Sequence, residues 1–228
     1  MDLKSELAKA VRVLSRGEVL TQLFGHISVR LEETPDEFYI LGHVHSEGKL
    51  LTDITADDIV RVNLDGEKLE GRVSPPGERF IHTEIYKKFP HIKAVIHGHP
   101  TLPVAFSVAG QEILPVEHRA VIFYPAVKIL DLPAQINTPE LGQRVAEALG
   151  DNLALMLRHH GVVVVGQSIE GVCSNAFTLQ RNALIQYLAM SLGKEPHAVR
   201  PEEVREGFKK DLSSIWPYYE KTYGDEEE

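Results

Sequence analysis

The chain has 228 residues, 43% of them hydrophobic and 25% charged, which is enough apolar material for one large core, and no stretch reads as a linker between two. A formal net charge of −9 with no basic cluster excludes nucleic acid as a partner, because affinity for a phosphate backbone comes from Lys and Arg. No apolar run approaches the ~20 residues that span a bilayer, so no membrane partner is expected.

The opening Asp2-Leu3-Lys4-Ser5-Glu6 lacks the apolar core of a signal peptide, and the single cysteine, Cys173, permits no intramolecular disulfide. The expectation is a cytoplasmic protein with one domain over 1–228, its acidic end a solvated, frayed tail from about 224. Leu3, Leu7, Ala10, Val11 and Leu14 recur at spacings of three and four, predicting an amphipathic helix that ends near Gly17. In the segment from Leu23 to Leu31, Ile27, Val29 and Leu31 alternate with polar residues, the period of a half-buried strand. Phe38 to Leu41 reads as its partner after a polar turn at Thr34-Pro35-Asp36. His43 and His45 sit in a Gly-flanked polar loop with no apolar run feeding it, which reads as solvated loop. Thr55 to Asp58 is a capped helical turn, Ile59 to Leu64 a strand, and Asp65-Gly66 a two-residue turn that implies more sheet.

Val73 to Gly77 is a stiff, proline-rich entry into a helix from Glu78 to Phe89, with Phe80, Ile81, Ile85 and Phe89 as its apolar stripe. Glu78 is either a first-turn carboxylate favoured by the helix dipole or a base held rigidly by the prolines before it. His82, four residues on, shares its face and reads as a structural partner. Next, an apolar β-branched run from Lys93 leads into His97-Gly98-His99-Pro100. Residues two apart on a strand share a face, so both imidazoles aim at one point, the grip a metal needs. Gly98 lets something approach the backbone closely, and Pro100 ends the strand.

Thr101 to Val108 is a short helix, and Glu112 to Tyr124 a pair of short strands around His118-Arg119. Thr138 caps a helix that opens on Pro139 and runs to Leu149. Leu153 to Leu157 is a buried strand ending in Arg158-His159-His160-Gly161, Val162 to Val165 another, and Ser168 opens the longest helix. Apolar residues from Ile169 to Leu188 keep helical period along it and assign Cys173 to packing. Pro201 starts a last helix with Val204, Phe208, Leu212, Ile215 and Trp216 on one side, and Tyr218, Tyr219 and Tyr223 beyond read as packing, a lid being the alternative. The economical architecture is a central sheet covered by helices on both faces. A catalytic divalent ion takes three protein ligands and keeps a position open. His97 and His99 supply two, and His160 is the best third, because a continuing strand would turn His159 to the opposite face.

The Gly25-His26-Ile27-Ser28-Val29-Arg30 segment, the Glu78-x-x-x-His82-x-x-x-Tyr86 helix, the His97-Gly98-His99-Pro100 strand end and the His159-His160-Gly161 turn follow one another in that order. With these the chain resembles the class II aldolase and adducin family from about Phe24 to beyond Leu188. The resemblance implies a three-layer α/β/α sandwich with a largely antiparallel sheet, and a homotetramer with active sites between subunits. It further implies one divalent metal per subunit on His97, His99 and His160, zinc first with Mn, Co or Fe as alternatives, and Glu78 as the acid/base residue. Such a metal stabilises the charge that develops as a carbon–carbon bond breaks, while a carboxylate shuttles the proton.

Departures from the family's sugar-phosphate aldolases narrow the substrate. Those carry Gly-Asn where this chain has Gly25-His26, two serines where it has Pro76-Gly77, and a neighbouring-subunit tyrosine where it has His118-Arg119. The lost donors argue against a phosphate, and an arginine forks onto carboxylates. These six positions are the expected substrate-binding set. The expected function is a metal-dependent carbon–carbon lyase of aldolase type for a small, non-phosphorylated, carboxylated substrate. Decarboxylation of a hydroxy-aromatic or pyridine-dicarboxylate acid, as in similar non-sugar members of the family, is the second reading, and a non-catalytic adducin-like assembly module the third.

Overall fold

A computed structural model describes residues 2–21, 24–204 and 211–225. Strands β1 (His26–Arg30), β2 (Glu37–Leu41), β3 (Ile59–Asn63), β4 (Lys68–Glu70), β5 (Ala94–Gly98), β6 (Lys128–Leu130), β7 (Ala154–Leu157) and β8 (Gly161–Gly166) form one sheet. Their spatial order is β4-β3-β2-β1-β5-β8-β7-β6. Every neighbouring pair is antiparallel except β6 and β7.

The β-branched runs of β5 and β8 are buried whole. Val162 to Val165 and Ala94 to Ile96 are buried without a break, as unalternating β-branched runs must be when helices cover both faces of a sheet. Helices α1 (Leu3–Arg16) and α5 (Ile169–Ser191) pack on each other and over one face, while α2 (Arg79–Lys88) and α4 (Pro139–Leu149) pair on the other. Helix α3 (Thr101–Ala109) leaves β5 at Pro100 and packs on α5, and α6 (Trp216–Tyr223) lies against α1. Side chains close the helix starts: Asp2 accepts from the amides of Lys4 and Ser5, Thr138 from Leu141, and Ser168 from Gly171. Cys173 is buried in α5, as its helical spacing requires. No helix among the described residues is long and apolar enough to cross a membrane.

Four expectations are corrected. Strand β1 is buried on both faces, because α2 covers its polar side. The segment expected to form strands around His118-Arg119 is a 3-10 helix, His118–Phe123. Ahead of it, the backbone at Leu114 and Val116 bonds Gln186 and Asn182 of α5, whose amides take the place of a strand edge. The helix expected from Pro201 is only a 3-10 turn, Pro201–Glu203. Phe208 lies outside the described residues, and a new helix starts at Trp216-Pro217, since proline opens a helix but cannot continue one. Finally, Asp225, expected in the solvated tail, bridges Arg12 and Arg16 at 2.8 and 2.7 Å.

Helix α4 approaches α2 so closely that a methyl group on Gly142 would lie 2.3 Å from the carbonyl oxygen of Phe80. Alanine is the better helix former by about 1 kcal/mol, yet Gly142→Ala is expected to lower stability by about 1–3 kcal/mol because of this overpacking. Urea denaturation of the two proteins measures the sign.

Candidate metal centre

The register of the sheet builds the site. His97 on β5 lies opposite His26 of β1 on one side and Val163 of β8 on the other. His99 follows one residue past the strand end, and His160 stands in the tight turn between β7 and β8. One ligating atom from each of His97, His99 and His160 lies within 4.8 Å of the others. Small residues permit this crowding: a methyl group on Gly161 would lie 2.6 Å from the Gly98 carbonyl oxygen and 2.7 Å from His99 Cδ2.

Each ring is oriented from outside the triad. His97 Nδ1–H donates to the Val162 carbonyl at 3.0 Å, which leaves Nε2 as the lone-pair nitrogen. That Nε2 is buried and has no hydrogen-bond partner among the described residues, as does Nδ1 of His160. An orphaned imidazole lone pair inside a polar cluster fits a bound cation and little else. The ring of His99 lies beside the backbone of Phe24. Burial first, and then the neighbouring His97 and His160, bring the His99 pKa down to about 3, so it stays neutral as a ligand must.

Glu78 completes the centre. It stands at the N-terminus of α2 without capping it. Instead Oε1 accepts the Ile136 N–H at 2.8 Å and lies 3.5 Å from His160 Nε2, while Oε2 lies 3.5 Å from His97 Nε2. Burial pushes its pKa up, but the close His160 and His97 rings and the hydrogen bond from the Ile136 amide outweigh this and hold the carboxyl well below the usual range.

Behind His97 runs a buried polar seam. His26 Nδ1 meets His82 Nε2 at 2.7 Å, and Ser28 Oγ meets His82 Nδ1 at 2.6 Å and the Tyr86 hydroxyl at 2.7 Å. Burial, with His97 nearby, draws the His82 pKa down to about 3. Burial, His82 and His97 likewise lower that of His26.

A cavity of ≈ 830 Å³ opens onto the triad, with Glu78, His99, His160, Phe24, Val104 and Pro133 among its walls. None of the six expected substrate-binding residues lines it. Gly25, at φ +115°, lets β1 approach the His97 carbonyl, and His26 is sealed into the seam. Pro76 is buried, and Gly77 is exposed beside Gln135, itself a wall residue. His118 and Arg119 are exposed, and Arg119 lines a neighbouring cavity that shares Glu18 and Thr101 with this one. Tyr219 and Tyr223 stack on Phe177, with ring centroids 4.2 and 5.4 Å away.

Sequence reasoning missed three features. Ser28 was legible as the residue two past His26, on the same face of the strand. Phe24, backed edge-on by His45 at 5.2 Å, gave no periodic signal. His159 was excluded from the site on the premise of a continuing strand, but β7 stops at Leu157 and a turn brings His159 to the cavity wall.

The family model of the class II aldolase and adducin N-terminal domain matches residues 5–187. A 3,4-dihydroxyphthalate decarboxylase of Arthrobacter keyseri is 30% identical over 200 residues, 83% of this chain and 79% of that protein. An L-fuculose phosphate aldolase of Methanococcus vannielii is 27% identical over 194 residues, 85% of this chain and 100% of that protein. Among solved structures, an L-fuculose 1-phosphate aldolase from Glaciozyma antarctica PI12 superposes with a TM-score of 0.78 at 22% identity, covering 98% of this chain and 92% of that one, a likeness of fold.

Gly161→Ala should weaken zinc binding about 10–100-fold by displacing His97 and His99, measured by titration against a chelating indicator. The buried imidazoles also make the metal-free protein acid-labile. Below about pH 6.5 the unfolded chain binds protons that folded His82, with its pKa near 3, refuses. Stability is therefore full above pH 6.5 and lost as the pH falls from there toward 3, which a series of urea midpoints would show.

Proposed function

Because the chain belongs to the class II aldolase and adducin family, we propose that it is a metal-dependent carbon–carbon lyase acting on a small, non-phosphorylated, carboxylated substrate. The observation that carries the reading is a carboxylate 3.5 Å from two of three converging histidines, both of which keep an unpartnered buried nitrogen. A divalent cation on His97, His99 and His160, zinc first, supplies Lewis-acid stabilisation of the negative charge left as the bond breaks. Glu78 serves as the proton carrier. The Ile136 N–H holds Oε1, so Oε2 is the oxygen that takes the proton from the substrate and returns it to carbon. The low pKa of Glu78 keeps that oxygen a base before substrate arrives.

The cavity supports the substrate class. No Lys or Arg is among its described walls, so its own subunit offers no cation to a phosphate. Arg119, outside its own subunit's cavity, would reach a substrate carboxylate across a subunit contact, which fits a homotetramer with intersubunit sites. Aldol-type cleavage is the first reading. Decarboxylation of a hydroxy-aromatic acid is favoured by a specific pair of observations, the exposed Phe24 ring on the cavity wall and the relative named a 3,4-dihydroxyphthalate decarboxylase. The complete triad and Glu78 weigh against an adducin-like module without catalysis. The lone buried cysteine suits the cytoplasm.

Zinc-loaded protein assayed against hydroxy-carbonyl phosphates and against keto and hydroxy-aromatic acids is expected to turn over the acids. Turnover confined to the phosphates would overturn the carboxylate reading. Glu78→Gln should keep the metal and lower kcat at least about 100-fold, and an unchanged kcat removes Glu78 from the mechanism.

A further inference from the structure

Among the described non-glycine residues, two have left-handed backbone conformations, Glu18 and His159, both at φ +59°. Side chains with a Cβ are disfavoured there, and glycine or asparagine is the usual occupant. Both residues line the cavity that opens onto the histidine triad. They arrive from distant parts of the chain, Glu18 just past α1 and His159 from the β7–β8 turn. The left-handed conformation ends α1 at Glu18 and turns β7 into β8 at His159, places where glycine is the usual residue, so a carboxylate and an imidazole there on one cavity point to function.

The surroundings hold the strain in place. The His159 amide donates to Ser107 Oγ at 3.1 Å, and Ser107, fully buried, donates in turn to the Val104 carbonyl at 2.8 Å. The amide of Glu18 donates to Ser15 at 3.1 Å, and that of Val19 to Leu14 at 2.9 Å, which fixes the chain on both sides of the Glu18 side chain. What these backbones deliver is two polar side chains on the cavity wall. Both residues are exposed, and neither side chain forms an ion pair with a described residue. With no Lys or Arg on the described walls, what the subunit offers a substrate beyond the metal is hydrogen bonding: the Glu18 carboxylate accepts, the His159 imidazole donates, and Thr21 and Thr101 stand beside them.

We infer that Glu18 and His159 are specificity-determining residues, their left-handed backbones holding a carboxylate and an imidazole where they grip hydroxyl groups on the end of the substrate away from the metal. A carboxylate wall disfavours an anion at that end, so this part of the substrate is neutral and hydroxylated. The inference rests on the lyase reading for the seat of the substrate's other end at the triad, and it adds what the far end must look like.

The test is binding, not turnover. Zinc-loaded protein is titrated calorimetrically with two pairs of α-hydroxy acids that share a metal-binding head: 2-hydroxybutanoate with 2,3,4-trihydroxybutanoate, and mandelate with 4-hydroxymandelate. In at least one pair the hydroxylated member should bind about tenfold tighter, the worth of one good hydrogen bond. His159→Gly and Glu18→Gly should abolish that preference, leave the Kd of the bare member within about twofold and keep one zinc per subunit. Their melting temperatures should be no lower than that of the parent, since glycine accepts the left-handed backbone. His159→Asn, which tolerates that backbone and can still donate, should restore part of the preference. No preference in the parent protein, or an unchanged preference in both glycine variants, overturns the inference. Absence of turnover on every tested acid with the preference intact would sink the lyase reading alone.

Discussion

The structure depends on a match of pitch between one strand and one helix. Four residues of α-helix rise about 6 Å and two residues of strand about 6.6 Å, so side chains at i, i+4 and i+8 of α2's face can meet those at i, i+2 and i+4 of β1. Glu78, His82 and Tyr86 face His26, Ser28 and Arg30 in this way. The hydrogen bonds follow in order, His26 to His82, Ser28 to His82 and Tyr86, and Arg30 to the Tyr86 carbonyl. Buried polar groups must be satisfied, and here each satisfies its neighbour across the seam. A helix locked to a strand by such a seam cannot slide by a residue, and the end of the lock is where Glu78 enters the metal centre.

The three histidines meet because two hairpin-like edges converge. Strands β5 and β8 run antiparallel, so the end of β5, carrying His97 and His99, lies beside the start of β8, just after His160. Gly98 and Gly161 face each other there with no side chain between backbone and rings. The same burial that holds His99 neutral makes the site costly without a cation, since a lone-pair nitrogen inside the protein has given up water for nothing. The unpartnered nitrogen and the lowered pKa of Glu78 are thus two results of one packing arrangement.

Next to the site, helix side chains take the place of a strand edge. Asn182 and Gln186 on α5 present amide groups to the backbone from Glu112 to Val116, a segment whose strand-like pairing is one bridge, from Ile113 to Val127. In the same region Phe177 takes the rings of Tyr219 and Tyr223, so the C-terminal tyrosines are anchored by stacking.

By itself the sequence determined the periodic elements, the sheet between helices, the convergence of three histidines from its H-x-H strand and the His-Gly turn, and the family. These rest on spacing, and spacing is local. It could not determine whether His159 faces the site, because that turns on where β7 stops, nor could it place Ser28 against His82 or Phe24 beside the cavity, which depend on how α2 and β1 dock. It assigned His26, Pro76, Gly77 and Arg119 to a substrate by analogy of position, and could not tell that the register seals His26 behind His97 or that the 3-10 helix carries Arg119 to a neighbouring cavity of its own subunit. Only tertiary structure decided these points, because a side chain's address depends on which surfaces are packed against it, and that is a property of the whole fold.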